Sequence, residues 1–313
     1  LAGLLLPVLS SVRRSARVAQ VTVDIKNIEA AIAAFKLKYG MEPPSSFLVS
    51  DNGNDYKGNS ATALGRNSYA IMRQLWPNYD PITNPPGANI DGFSGSKNLN
   101  GADCLTFFLG GPGMISTTGA EGCRPEGFSA NPTNPFASGG NRVGPFLEFD
   151  ASRLVDVNNN NVYELLDPLP NQTKPYQYFS SYDGKGYQLN GFDGSPTLDA
   201  NGSLPAIGNP GTNYDDEVIW IINTASINDS YPTLRSPYLK SLAQGTKPPI
   251  PWNQKSYQII SPGFDGEFAS TSTDPNTPNP PRGGLWSPNG QLGPDRKNEW
   301  DNITNFSGGM LQP

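Results

Sequence analysis

The 313-residue chain carries a formal net charge of −6 and has a pI near 4.8, which argues against nucleic-acid binding because no broad basic face can displace counterions from phosphates. The sequence contains no histidine, which excludes Ser-His-Asp and Cys-His catalysis and His-ligated zinc or haem. With 34 Gly and 31 Pro beside 14 Phe, 13 Tyr and 5 Trp, the composition indicates a loop-rich body with a modest aromatic core.

The first 39 residues have the pattern of one long helix. Gly40 follows as a C-terminal cap, and Pro43 and Pro44 prevent the helix from continuing. One apolar stripe recurs at spacings of three and four residues, through Val18, Val21, Ile25, Ile28, Ile32, Phe35 and Tyr39. We therefore predict that this half of the helix packs on the sheet of a globular body.

The stretch before this stripe, "LAGLLLPVL" at residues 1–9, is apolar on all faces. It is shorter than the roughly 20 apolar residues that span a bilayer. We interpret it as the distal end of a membrane-spanning or filament-core helix, with a cleaved signal peptide as the competing interpretation. Arg13, Arg14 and Arg17 come next. They form either a solvated helix face or a surface that pairs with lipid headgroups or with acidic residues of a neighbouring subunit.

The two cysteines, Cys104 and Cys123, lie in a Gly-rich stretch that we expect to form a loop. An even pair at this spacing favours a disulfide, and hence an oxidising compartment. Two buried free thiols are the alternative.

The remainder of the chain favours short strands between turns. The segment "NSYAIMRQLWP" is helical or extended, and residues 269–296 have the composition of a long surface loop. Asp-Gly and Asn-Gly turns punctuate the strand candidates, which are "PYQYFSSYDGKGYQL", "EVIWIIN" and "SYQIISPGFDGEF". The predicted fold class is α+β, with a helix at 1–40 and an antiparallel sheet head with long loops at 41–313.

One segment, "DVNNNNVYELLD", places oxygen donors at the alternating positions of an EF-hand-like calcium loop. Asn161 replaces the usual glycine, because asparagine tolerates the left-handed conformation that this turn needs. An Asn-rich turn without a metal is the alternative. The predicted ligands are Asp156, Asn158, Asn160, the carbonyl of Val162, Glu164 and Asp167.

Taken together, these pieces resemble the type IV pilin-like superfamily. The segment "VTVDIKNIEAAIAAFKLKYGMEPPS" follows an apolar, Pro-bearing helix start and is similar to the helix of the major pseudopilin of type II secretion systems. "KPYQYFSSYDGKGYQL", "YQIISPGFDGEF" and "NEWDNITNFSGG" are similar, in order, to that family's strand pair, terminal strand and calcium loop. The long middle region resembles enlarged members of planctomycete type.

The resemblance implies a structural, non-catalytic subunit that polymerises with copies of itself into a type IV pilus-like or pseudopilus filament. It implies an inner-membrane assembly platform and a prepilin peptidase as partners, with anchoring in the inner membrane before assembly into a periplasmic or extracellular filament. It also implies a second calcium site at Ser261, Asp265, Glu299 and Asp301. The residues expected to mediate assembly are Leu1, Leu4, Leu5, Leu6, Pro7, Val8 and Leu9, with Arg13, Arg14 and Arg17.

Two other functions compete with this interpretation. One is a calcium-stabilised adhesion or carbohydrate-binding module, or a minor component of a filament tip, in which exposed aromatic rings would stack on sugars. The other is a hydrolase with paired carboxylates, although no spacing in the sequence marks such a pair.

Overall fold

The fold is described from a computed structural model, which covers residues 2–57, 61–114, 125–184, 187, 237–241, 250–268, 286 and 298–312. Within these residues, no helix combines the length and the apolar character needed to cross a membrane. The division into a helix at 1–40 and a head at 41–313 stays a prediction.

The N-terminal helix α1 runs from Ala2 to Tyr39, which confirms the predicted helix. It ends where Gly40 adopts a φ of +79° and donates its N–H to the Lys36 carbonyl at 2.8 Å. Glycine reaches this left-handed conformation without steric cost, so the chain leaves the helix at the position that the sequence predicts.

Two shorter helices follow, α2 (Ala63–Leu75) and α3 (Gly101–Gly110). Short 3-10 helices lie at Gly53–Tyr56, Pro86–Asn89 and Ala151–Arg153. The strands of the described residues are β1 Phe47–Ser50, β2 Ser96–Leu99, β3 Phe128–Ser129, β4 Arg142–Val143, β5 Leu154–Val155, β6 Glu164–Leu165, β7 Gln177–Ser180, β8 Leu239–Ser241, β9 Ile250–Pro251, β10 Tyr257–Ser261 and β11 Ile303–Thr304.

All strand pairs in these residues are antiparallel. The largest sheet has the order β11-β10-β7, with Ile259 opposite Tyr178 and Ser261 opposite Ile303. The other strands form two-stranded pairs, β1-β2, β3-β4, β5-β6 and β8-β9. The structure is thus of mixed helix and antiparallel sheet, consistent with the predicted α+β class.

The apolar stripe of α1 enters the main core. Val21, Ile25, Ile28, Ile32 and Phe35 are buried, and Val18 and Tyr39 pack at its edge. The Phe35 ring contacts the rings of Phe108 in α3 and Phe146, with centroids 5.9 and 5.4 Å apart. The helix therefore packs against α3 as well as against β11, whereas the stripe alone predicted only a sheet beneath it.

A polar clamp also holds α1 to the body. Both terminal nitrogens of Arg153 donate to the Asp24 carboxylate, at 2.5 and 3.1 Å, and the Tyr176 hydroxyl donates to it at 2.8 Å. Arg153 also donates to the Leu166 carbonyl. These bonds fix the rotation and height of the helix on the head.

The structure corrects the prediction for the first cysteine segment. Cys104 lies within α3, not in a loop, because Asn100 and Asp103 form a capping box that starts a helix there. "NSYAIMRQLWP" is helical and forms most of α2. "EVIWIIN" and nearly all of the predicted 269–296 loop lie outside the described residues.

Candidate functional site

Residues 9–17 of α1 form an exposed segment of the helix. All residues from 9 to 17 are exposed, although Leu9 and Val12 are apolar and 48% and 59% exposed. Among the predicted assembly residues, Leu1 lies outside the described residues. The structure gives only the helical backbone, and not the side chains, of Leu4, Leu5, Leu6, Pro7 and Val8.

The three arginines of this segment differ in their surroundings. The guanidinium carbon of Arg14 lies 5.3 Å from the centre of the Phe264 ring, and a terminal nitrogen of Arg14 lies 3.6 Å from the sulfur of Met310. Through this cation–π contact, Arg14 packs against the head of its own chain. Arg13 and Arg17 are exposed.

The first predicted calcium segment forms the loop of the β5-β6 hairpin. The two Asp156 oxygens accept the N–H groups of Asn160 and Asn161, each at 3.0 Å. Asn161 has a φ of +69°, the left-handed conformation expected at this position. The Glu164 carboxylate reaches back to accept the Val157 N–H at 2.7 Å. Val162 is buried and forms a β-bridge with Met114.

A carboxylate outside the segment faces this loop. Asp103, fully buried in the first turn of α3, accepts the side-chain amides of Asn158 and Asn160 at 3.2 and 2.8 Å. The sequence reasoning missed Asp103 as a site residue, although the Asn100-x-x-Asp103 spacing is a recognisable capping box. With Asp103, the loop has a third acidic side chain beside Asp156 and Glu164.

Asp167, the predicted last ligand of this loop, belongs elsewhere. Its Oδ2 accepts the Ser261 hydroxyl at 2.5 Å and the Gln172 amide at 3.0 Å, and its Oδ1 accepts the Leu169 N–H at 2.9 Å. Since β6 ends at Leu165, Asp167 lies beyond the β5-β6 hairpin, and it contacts Ser261 of β10 instead of the loop. Asp167 thus joins the second predicted set through Ser261.

The second set surrounds the turn 263–266 that follows β10, which we call the acidic turn. Asp301 Oδ2 accepts the N–H groups of Phe264 and Asp265, at 2.6 and 3.2 Å. Gly263 has a φ of +71°, and a Cβ on it would lie 2.4 Å from the Asp301 carbonyl oxygen. Only glycine permits this approach of the turn to the C-terminal segment. Ser261, Asp265 and Asp301 thus lie around one turn, and their role as calcium ligands stays a prediction.

Burial shapes the acidity of this cluster. Burial raises the pKa of Asp167 to about 6, although the hydrogen bonds from Ser261 and other donors act to lower it. Asp265 is an exposed residue, but partial burial of its carboxylate raises its pKa to about 6, and the negative charge of Asp301 adds to the rise. Burial also raises the pKa of Asp301, while the N–H donors and the positive charge of Arg14 oppose it. At this turn, burial thus outweighs the N–H donors and the positive charges of Arg14 and Lys174.

One oxygen of the Asp301 carboxylate bears on whether a cation fits at the acidic turn. Asp301 is only 8% exposed, and its Oδ1 is buried without a hydrogen-bond partner among the described residues. A buried carboxylate oxygen without a donor is costly unless a cation neutralises it. Calcium accepts carboxylate, amide and backbone oxygens, so the donor set at the acidic turn suits it.

The remaining predicted site residues are Glu299 and the two cysteines. Glu299 is fully buried and accepts the Tyr238 hydroxyl at 2.9 Å. Cys104 is buried within α3, and burial raises the pKa of its thiol. Cys123 lies outside the described residues, so the disulfide stays a prediction.

No protein-family model, no curated protein and no solved structure matches the chain. The likeness to pilin-like proteins therefore depends on the sequence motifs alone.

Proposed function

We propose that the protein is a structural, non-catalytic subunit that polymerises through α1 into a type IV pilus-like or type II secretion pseudopilus filament. The observation that carries the proposal is the exposed segment 9–17 of α1. Leu9 and Val12 leave apolar surface in water there, whereas the helix from Val21 onward is fixed to the head. Copies of the same helix would cover this surface, and head-to-tail packing of identical subunits produces open helical filaments.

The rigid attachment of the other half of α1 supports the same role. The aromatic contacts of Phe35 and the Arg153–Asp24 clamp hold the helix at a fixed angle to the head. A subunit that transmits force along a filament needs this connection, because a loosely hinged head could not keep the helical repeat.

As a part of this function, we propose that the acidic turn binds calcium. The side chains of Asp265 and Asp301 would hold the ion, with Ser261 and Asp167 behind them. A bound calcium ion would neutralise these carboxylates and tie the turn to the C-terminal segment. The β5-β6 loop, with Asp156, Asn158, Asn160 and Glu164, is a second candidate for calcium.

The partners and the location follow from the proposed role. We propose processing by a prepilin peptidase, passage through an inner-membrane assembly platform, and a final location in a periplasmic or extracellular filament. These steps concern the whole protein in its cell.

A shearing experiment tests the polymerisation. Cells producing the full-length protein are sheared, and the released filament fraction is compared for wild type, Leu9→Asp and Leu37→Asp. Leu37 is the matched control, because it is 90% exposed on the same helix but lies in the half fixed to the head. We expect Leu9→Asp to abolish the sheared fraction and Leu37→Asp to retain it. Equal amounts of sheared filament from Leu9→Asp and Leu37→Asp would contradict the proposal. So would the absence of sheared wild-type filament in the presence of calcium, in which case a monomeric binding module would be the better interpretation.

A further inference from the structure

The Gln172 side chain has its amide group fixed in one orientation. Its Nε2 donates to Asp167 Oδ2 at 3.0 Å and to the Gly263 carbonyl at 2.5 Å. Both partners only accept hydrogen bonds, so the opposite orientation would bring the Gln172 oxygen against two other oxygens. The nitrogen must therefore face these partners, and Oε1 must face the other way.

That oxygen points at the acidic turn. A Cβ on Gly266 would lie 3.3 Å from Gln172 Oε1, which places this oxygen against the far end of the turn. Gln172 Oε1 is buried, and among the described residues it has no hydrogen-bond partner. It is thus the second buried acceptor without a donor beside this turn, after Asp301 Oδ1.

The nearby cations of the described ranges already have partners. Lys174 forms a salt bridge with Glu267, and Arg14 lies over the Phe264 ring. Both buried oxygens lie beside one turn and lack a donor among the described residues, so one positive ion between the segments that carry them would satisfy both.

The carboxylates of the described residues do not by themselves complete such a site. In the described ranges, no group of three or more Asp, Glu, His or Cys side chains is arranged to hold a metal ion. A cation at the acidic turn therefore needs oxygen ligands of another kind. Calcium uses the side-chain carbonyl of Asn and Gln as readily as backbone carbonyls.

We propose that Gln172 Oε1 is a ligand of the cation at the acidic turn, and that Asp167 positions it by holding Nε2. This inference rests on the proposed calcium site. It makes the ion a clasp between three segments that are distant in sequence, around Gln172, Asp265 and Asp301. Asp167 acts through Gln172, so it is a positioning residue and not a ligand.

Terbium, a luminescent substitute for calcium, tests the ligand directly. Its lifetimes in H2O and D2O report how many water molecules remain on the bound ion. The full chain is compared as wild type, Gln172→Met and Lys174→Met. The last is the matched control, because Lys174 lies in the same segment and pairs with the turn through Glu267. Calcium affinity is measured in parallel by calorimetry, and far-UV circular dichroism in EDTA confirms that each variant is folded.

We expect Gln172→Met to add about one bound water to terbium and to weaken calcium binding on the order of 10-fold. Lys174→Met should retain the wild-type water number. An unchanged water number and affinity in Gln172→Met overturns the ligand assignment but leaves the calcium site intact. A wild-type protein that binds no calcium overturns the site itself, and the ligand with it.

Discussion

The Asp301 carboxylate should lower the stability of the protein in the absence of calcium and raise it when calcium is bound. In EDTA at pH 7.5, we expect Asp301→Asn to be at least as stable as wild type, because it removes a buried negative charge beside Asp265. In calcium, wild type should gain stability that the variant cannot, because the variant has lost a charged ligand.

The size of this gain follows from binding linkage. Calcium at 100 times its dissociation constant stabilises a protein by about 2.7 kcal/mol. An unfolding entropy of about 2.1 cal/mol/K per residue gives the 313-residue chain about 0.7 kcal/mol/K. The wild-type Tm should therefore rise by about 4 °C.

Differential scanning calorimetry in EDTA and in 1–10 mM CaCl2 measures both shifts. Glu148→Gln is the matched control, because Glu148 is an exposed carboxylate elsewhere on the head and should leave the calcium response unchanged. If wild type and Asp301→Asn show the same Tm with and without calcium, the reasoning about the acidic turn is refuted.

Four further predictions concern the helix and the same turn. The calcium-induced Tm shift should be full at pH 7.5 and shrink as the pH falls below about 6, because protons compete with the ion for Asp265, whose pKa is about 6; an undiminished shift at pH 4.5 would contradict this. Phe35→Ala should lower the free energy of unfolding by about 4 kcal/mol, measured by urea denaturation, because it empties a fully buried aromatic site; a loss below 1 kcal/mol would show that α1 does not pack there. Arg153→Ala should cost about 2 kcal/mol in the same assay, because it leaves a half-buried Asp24 without its cation, and a neutral result would rule out the clamp. Arg14→Ala should tighten calcium binding at most a few-fold by removing a nearby positive charge, whereas Arg13→Ala should leave it unchanged. Equal calcium affinities of wild type and Arg14→Ala, measured by calorimetry, would show that the charge of Arg14 does not act on the turn.

In apo protein, the raised pKa of Asp265 acts on stability in the opposite sense to calcium. Because the folded state binds this proton more tightly than the unfolded chain, the contribution is present at low pH. It is lost as the pH rises from the unfolded value of 3.8 to about 6. The pH profiles with and without calcium should therefore move apart as the pH rises toward 6 and stay apart above it.

Much of α1 was predictable because its signals are local. The spacing of Val21, Ile25 and Ile28 depends only on the helical period, and Gly40 needs only a left-handed cap. The α3 helix was missed because its Gly-rich end, "LGGPGM", outweighed the capping box at Asn100 and Asp103, which was the better signal.

The sites were predictable only within single segments. The Asn161 conformation follows from its position in the loop, and the grouping of Asp265 with Asp301 came from the family resemblance. Asp103 beside the β5-β6 loop and Gln172 beside Gly263 come together only through tertiary packing. The contact between Gln172 and Gly263 spans 91 residues, and no local pattern indicates it.

Helical reconstruction by electron cryomicroscopy tests the central claim most directly. The specimen is filaments sheared from cells that produce the full-length protein, kept in calcium. The account predicts thin filaments of this chain, with residues 1–17 of α1 bundled at the axis and the heads outside, so that Leu9 and Val12 contact neighbouring copies of the helix. Filaments in which these side chains face solvent, or preparations that contain only monomers, would contradict it.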